Sequence, residues 1–181
     1  MNIKDAKAKG LIIVFTGNGK GKTTAAMGMA LRATGHRLKT LMIQFIKGSW
    51  HYGELEAVKK LNPYFEIVPM GNGFLSLRKG EIDPEDLQAI ADAWKFSRKK
   101  IASGKYDMII LDEINYVISY HLLPVEEVLE VLRSKPKSLH LILTGRDADT
   151  KIVEIADLVT HMEEIKHPFH KGTKAQMGIE F

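Results

Sequence analysis

The sequence predicts a single α/β domain whose mostly parallel sheet is covered by helices on both faces. Two observations carry this. Short, almost uniformly apolar runs such as Leu11-Ile12-Ile13-Val14-Phe15 and Asp107-Met108-Ile109-Ile110-Leu111-Asp112 alternate with helix-like segments along the whole chain. Strands that are apolar on both faces are strands buried on both faces, which calls for helical layers above and below. The length of 181 residues suits one domain, 1–181, and no internal repeat, low-complexity stretch or linker divides it.

The elements follow in order. Residues 11–16 read as the first strand and 23–34 as the first helix, with Gly35 as its stop. Leu38 to Phe45 is the second strand, 54–61 a short helix ended by Asn62-Pro63, and Phe65-Glu66-Ile67-Val68 a third strand. Residues 71–83 are loop-like, with glycines at 71, 73 and 80. A long helix is expected from Pro84 to about Ser103, with Asp83 as N-cap and Pro84 at its first position. The acidic-ended strand 107–112 comes next, then a helix near 124–134, a strand Leu139 to Leu143, a helix over 149–156 and a last strand Leu158 to Met162. The tail, 165–181, is polar and glycine-containing with little periodicity, and 1–9 is a polar, lysine-rich segment.

Composition narrows the function classes. Hydrophobic content of 45% and charged content of 27% are ordinary for a globular protein, and no apolar run of the length needed to span a membrane occurs. Met1 to Lys9 lacks the apolar core of a secretory signal. Cysteine is absent, so disulfides and thiolate metal sites are excluded, and the expected location is the cytoplasm. The net charge of +4 is scattered; its longest basic run, Arg98-Lys99-Lys100, falls at a helix end where it matches the dipole, so no nucleic-acid partner is expected.

The chemistry concentrates at the ends of the apolar runs, where ligands of parallel sheets bind. Thr16-Gly17-Asn18-Gly19-Lys20-Gly21-Lys22-Thr23-Thr24 lies between the first strand and the first helix. Glycines at 17, 19 and 21 keep side chains out of a turn whose N–H groups face phosphate oxygens, and the helix start adds its free N–H groups and positive dipole end. Lys22 reaches the outer phosphates and the Thr23 hydroxyl suits Mg²⁺. This is a P-loop, although the first glycine of the usual pattern is displaced: Thr16 stands where that glycine is expected. Asp112-Glu113 closes its strand as a Walker B element does, offering a carboxylate to Mg²⁺ directly or through water. Which of the two touches the ion is open. Arg146, in Thr144-Gly145-Arg146, either makes a forked contact to phosphate or pairs with Asp147 or Asp149. Lys47 either faces the same pocket or is simply exposed. His167 and His170 have a spacing that could hold a metal, yet lie in the irregular tail around Pro168, where a loop contacting a ligand is the better reading. Phe74, on a glycine-rich loop, is either a core plug or a stacking surface.

Gly17 to Thr24, Gln44-Phe45-Ile46-Lys47-Gly48, Leu111-Asp112-Glu113, Leu143-Thr144-Gly145-Arg146 and Ala156-Asp157-Leu158-Val159-Thr160, together with the ending Lys166-His167-Pro168-Phe169-His170-Lys171-Gly172 and Ala175-Gln176-Met177-Gly178-Ile179-Glu180-Phe181, resemble the P-loop ATP:corrinoid adenosyltransferases across nearly the whole chain. That resemblance implies a P-loop NTPase-like (RecA-like) fold. It also implies transfer of the 5′-deoxyadenosyl group of ATP to reduced cobalt of a corrinoid, with triphosphate released, in adenosylcobalamin synthesis or salvage. It places Mg²⁺ on Thr23 and Glu113, with Asp112 beside them, and the nucleotide on Gly17 to Thr24 with Arg146. Lys22, Glu113 and Phe74 are the implied catalytic residues, Phe74 matching the first aromatic of the family's Gly-Phe-Thr-Trp loop. The family's threonine and tryptophan positions are Ser76 and Leu77 here. A homodimer, a flavodoxin-type reductant and a C-terminal tail near the active site are further expectations. A P-loop small-molecule kinase and a RecA-type ATP-binding module share the loop and stand as alternatives.

Overall fold

In the computed structural model, which describes residues 9–48, 52–73, 77–78 and 81–180, the six expected strands form one sheet. They are β1 (Ile12–Thr16), β2 (Thr40–Gln44), β3 (Phe65–Pro69), β6 (Met108–Asp112), β7 (His140–Thr144) and β8 (Leu158–His161). The order is β3-β2-β6-β7-β1-β8 and every pairing is parallel. Every residue of β1, β2 and β6 is buried, whereas the edge strand β8 is exposed throughout.

Although the central strands are apolar on both sides, their side chains still alternate. Ile12, Val14, Leu41, Ile43, Ile109, Leu111, Leu141 and Leu143 pack with Ile90, Trp94, Leu129 and Leu132 of α3 (Pro84–Ala102) and α5 (Val125–Ser134). Ile13, Phe15, Met42, Ile110 and Ile142 pack on the other face, against Ala26, Ala30 and Ala33 of α1 (Lys22–Gly35) and Val58 of α2 (Gly53–Lys59). The small residues of α1 let that helix lie close to the sheet, so the loop feeding it is held near the strand ends.

Asp83 caps α3 by accepting from the Glu85 N–H at 3.1 Å, with Pro84 at the first position as expected. Asp149 caps α6 (Thr150–Ile155) in the same way, from the Lys151 N–H at 2.8 Å. Four short elements depart from the sequence expectation. A six-residue helix, α4 (Ile114–Ser119), follows β6 immediately. Two short antiparallel strands, β4 (Leu77–Arg78) and β5 (Glu81–Ile82), lie in the stretch expected to be loop, and a 3-10 turn, Pro168–Lys171, forms in the tail. Each is too short to leave a periodicity in the sequence.

Sheet register aligns the functional ends. Gln44 pairs with Asp112, Phe15 with Thr144 and Thr16 with His161. Residues from five strands therefore surround the loop 17–21 at the carboxyl edge of the sheet.

Candidate active site

The glycine-rich loop folds around its own lysine. Lys22 is the first residue of α1 and is buried; its Nζ donates to the carbonyls of Gly17 (2.6 Å) and Gly19 (2.8 Å). Burial lowers its pKa from the usual lysine value, and the carboxylate of Glu113 is the largest influence opposing that shift. Two of the three glycines serve a purpose that phosphate binding does not require. The chain leaving β8 runs directly against the loop, with the Gly19 N–H donating to the Met162 carbonyl at 2.7 Å. A Cβ on Gly17 would lie 2.4 Å from that carbonyl oxygen, and one on Gly19 would lie 2.6 Å from the Glu163 oxygen. Gly17 also has φ 93°. Gly17→Ala is therefore expected to lower unfolding stability by about 2 kcal/mol or more, through backbone overlap and strain together. A denaturant midpoint equal to that of the wild type would count against this.

Asp112 is the hub of the site. Fully buried at the end of β6, it accepts from the hydroxyls of Thr23 (2.8 Å) and Thr144 (2.7 Å) on Oδ1 and from Gln44 Nε2 (3.3 Å) on Oδ2. Three strands and the start of α1 are thus tied to one carboxylate. Glu113 turns the other way. Its backbone takes the left-handed conformation, φ 65°, and its N–H donates to Thr144 Oγ1 at 2.9 Å. The side chain faces a cavity of about 520 Å³ that Lys22, Thr23, Thr24, Lys47 and Glu180 also line. Burial first, and the Asp112 charge second, push the Glu113 carboxyl up to about 6.

A second cavity, about 620 Å³, lies against the loop at Asn18, Gly19, Lys20 and Lys22 and is also lined by Arg146, His167 and His170. The tail reaches both spaces: Gly178, Ile179 and Glu180 line the first, and Glu180 pairs with Lys20 at 3.6 Å. Among the described residues no ion pair joins Arg146 to Asp147 or Asp149. His170 Nε2 instead meets Glu164 at 2.6 Å, and His167 Nδ1 accepts the Phe169 N–H at 3.2 Å.

The family model described as ATP:corrinoid adenosyltransferase BtuR/CobO/CobP matches residues 8–181. The chain belongs to the ATP:corrinoid adenosyltransferase family. The corrinoid adenosyltransferase of Escherichia coli K12 is 41% identical over 173 residues, covering 96% of this chain and 86% of the relative. Corrinoid adenosyltransferase CobA of Salmonella typhimurium is likewise 41% identical, over 174 residues, with the same coverage. Among solved structures, flagellar accessory protein FlaH from Methanocaldococcus jannaschii superposes with a TM-score of 0.52 at 15% identity, over 84% of this chain and 71% of that one; this likeness concerns the fold alone.

An adenosyltransferase of this family acts on ATP, and the donors at the first cavity fit a magnesium ion. The Thr23 hydroxyl and the Glu113 carboxylate are hard oxygen ligands facing one space, and Asp112 positions Thr23 from behind. Among the described residues no group of three or more His, Cys, Asp or Glu could hold a metal, so an ion here would keep water or phosphate in its remaining positions, as magnesium does. Of the residues expected from sequence, Gly19, Lys20, Gly21, Lys22, Thr23, Thr24, Asn18, Glu113 and Arg146 line the two cavities. Gly17 and Asp112 lie behind them, and Phe74 is outside the described residues. Sequence reasoning gave no individual role to Thr144, Gln44, Glu54 or Glu180. For the first two, the available signal was their position as the polar last residue of an apolar strand.

Proposed function

We propose that the loop 17–23 holds the triphosphate of ATP as a leaving group while C5′ is presented to a reduced corrinoid. Corrinoid adenosylation is the activity of the family; the assignment of residues to roles is our reading. The observation that carries it is the Asp112 hub, which fixes Thr23 and leaves Glu113 facing the same space as Lys22.

The electron pair of cobalt(I) attacks C5′, the C5′–O bond breaks, and triphosphate departs with that bond's electrons. The nucleophile is on the substrate, so no protein general base is needed. What the protein must supply is alignment and a charge field for a departing polyanion. Lys22 supplies positive charge where negative charge gathers, and the free N–H groups of the first turn of α1 supply more. Magnesium held by Thr23 and Glu113 would add Lewis-acid neutralisation of phosphate oxygens. Arg146 lines the second cavity beside the loop and contributes a fork to phosphate. Phe74 is assigned to the lower face of the corrinoid, on family likeness.

The same reading includes a homodimer, a flavodoxin-type protein that delivers the electron needed when cobalt arrives as cobalt(II), and a cytoplasmic location. No described helix is long and apolar enough to cross a membrane.

The test is product analysis. ATP, Mg²⁺ and chemically reduced corrinoid are expected to yield inorganic triphosphate and a light-sensitive adenosylated corrinoid. ADP with a phosphorylated acceptor would mean attack at phosphorus and would overturn the reading.

A further inference from the structure

We propose that Lys47 is a second triphosphate-binding lysine, and that Glu54 occupies its ammonium until the substrate arrives. The inference rests on the preceding assignment of triphosphate to the cavity between the loop and Glu113.

Lys47 is placed by the backbone. Phe45, two residues before it, is fully buried, and its N–H donates to the Asp112 carbonyl at 3.1 Å. The Lys47 carbonyl accepts the Gly71 N–H at 3.1 Å, and the Ile46 carbonyl accepts the Gly73 N–H at 2.9 Å. The segment after β2 is thus fastened to the hub residue on one side and to the chain beyond β3 on the other. From this fixed base the side chain enters the cavity that Lys22, Thr23 and Glu113 line. There its Nζ lies 2.8 Å from Glu54 Oε1 and 4.7 Å from the centre of the Tyr52 ring.

An ion pair at a fully exposed surface would need no explanation. This one lies in the wall of a substrate cavity with both side chains largely buried, at 23% and 16% exposure. Such a pair loses hydration and adds little stability. The charge count of the cavity indicates its use. Lys20, Lys22 and Lys47 line it, and so do Glu54, Glu113 and Glu180. Three positive and three negative groups balance across its walls. A triphosphate entering such a space needs an ammonium free to donate to it, and one becomes available when a carboxylate gives up its lysine, with the net charge of the lining unchanged. A carboxylate is a chemical stand-in for a phosphate oxygen, so exchange at Lys47 replaces one anionic partner by another. The Tyr52 face beneath the ammonium holds it in position during the exchange. Glu54 is then a positioning residue: it keeps Lys47 extended into the cavity in the free enzyme and competes weakly with the substrate.

The experiment is equilibrium binding of inorganic triphosphate to Lys47→Met, Lys47→Arg, Glu54→Gln, the Lys47→Met/Glu54→Gln double variant and Lys22→Ala, with ATP KM and kcat measured on each. Loss of a charge-assisted contact predicts roughly tenfold or weaker triphosphate binding for Lys47→Met. Lys47→Arg is expected to recover most of this, Glu54→Gln to bind severalfold tighter, and the double variant to remain as weak as Lys47→Met. If Lys47 serves only to neutralise Glu54, the double variant returns to wild-type affinity, and that result overturns the proposal. Wild-type affinity in Lys47→Met overturns it as well, while weak binding by Lys22→Ala in the same series leaves the triphosphate site standing. Wild-type affinity in Lys22→Ala removes the site and this proposal together. Should Lys47→Met lose its cooperative melt, Glu54→Gln decides: tighter binding supports the exchange, and unchanged or weaker binding refutes it.

Discussion

Lys22→Ala is expected to lower kcat for corrinoid adenosylation by roughly a hundredfold, about 3 kcal/mol of transition-state stabilisation. The reason lies in where the ammonium sits. It is buried inside the loop, with two carbonyl oxygens at 2.6 and 2.8 Å as its neighbours. Burial there works against its charge, so the free enzyme holds a partly desolvated cation next to the place where a polyanion departs. A preorganised charge of this kind interacts more strongly with the departing triphosphate than with the intact ester, so the loss should fall on kcat more than on corrinoid KM. Lys22→Arg is not expected to rescue activity. The loop closes around a compact ammonium, and a planar guanidinium does not fit between the Gly17 and Gly19 carbonyls. The fold should persist, because Lys22 sits at the start of α1 and its loss leaves the sheet register intact. Near-normal kcat in a variant that melts like the wild type would remove Lys22 from the mechanism.

Much of this site was visible in the chain because uniformly apolar runs end abruptly at glycine-rich or acidic segments. Six runs of apolar residues located six strands, and the loop at Gly17 and the pair Asp112-Glu113 at their carboxyl ends marked one edge of the sheet. The glycine spacing identified the loop but explained it incompletely. Gly17 and Gly19 are required by the approach of Met162 and Glu163, nearly a whole chain length away, and no local pattern reports that neighbour. Helix α4 escaped for a related reason: it has six residues and begins at a left-handed Glu113 with no side-chain cap. Sequence also left undecided which acidic residue would serve the proposed magnesium ion. The structure separates Asp112 from Glu113 by direction, one accepting three side-chain hydrogen bonds and the other lining the cavity. That separation depends on one backbone angle. The Lys47–Glu54 pair joins the segment after β2 to the start of α2, and only folding brings it to the cavity that Thr23 also lines.

Glu113→Gln provides a sharper test, because activity and stability are expected to move in opposite directions. The carboxylate is pushed up from 4.5 to about 6, chiefly by burial and then by Asp112. The folded state therefore binds the proton more tightly than the unfolded state does. Below pH 4.5 both states are protonated and the group is neutral at no cost; between 4.5 and about 6 the unfolded chain releases its proton first, and stability falls as pH rises. Above about 6 the full penalty is present, corresponding to about 2 kcal/mol. Glutamine keeps the shape and discards the charge, so the metal-free variant should be more stable than the wild type at pH 8 by an amount of that order. The advantage should shrink through the window between 6 and 4.5 and vanish below it. Activity should instead drop by roughly a hundredfold, since an amide is a poor ligand for magnesium and the charge facing Thr23 is gone. Denaturant unfolding at several pH values in the presence of a chelator, set beside initial rates at saturating Mg²⁺, measures both. A variant that loses activity and stability together would make Glu113 a structural residue. One that gains stability and keeps its rate would leave the ion to other ligands. Gain of stability with loss of rate is the pattern of a carboxylate held, at a cost to the fold, for the chemistry of the leaving phosphates.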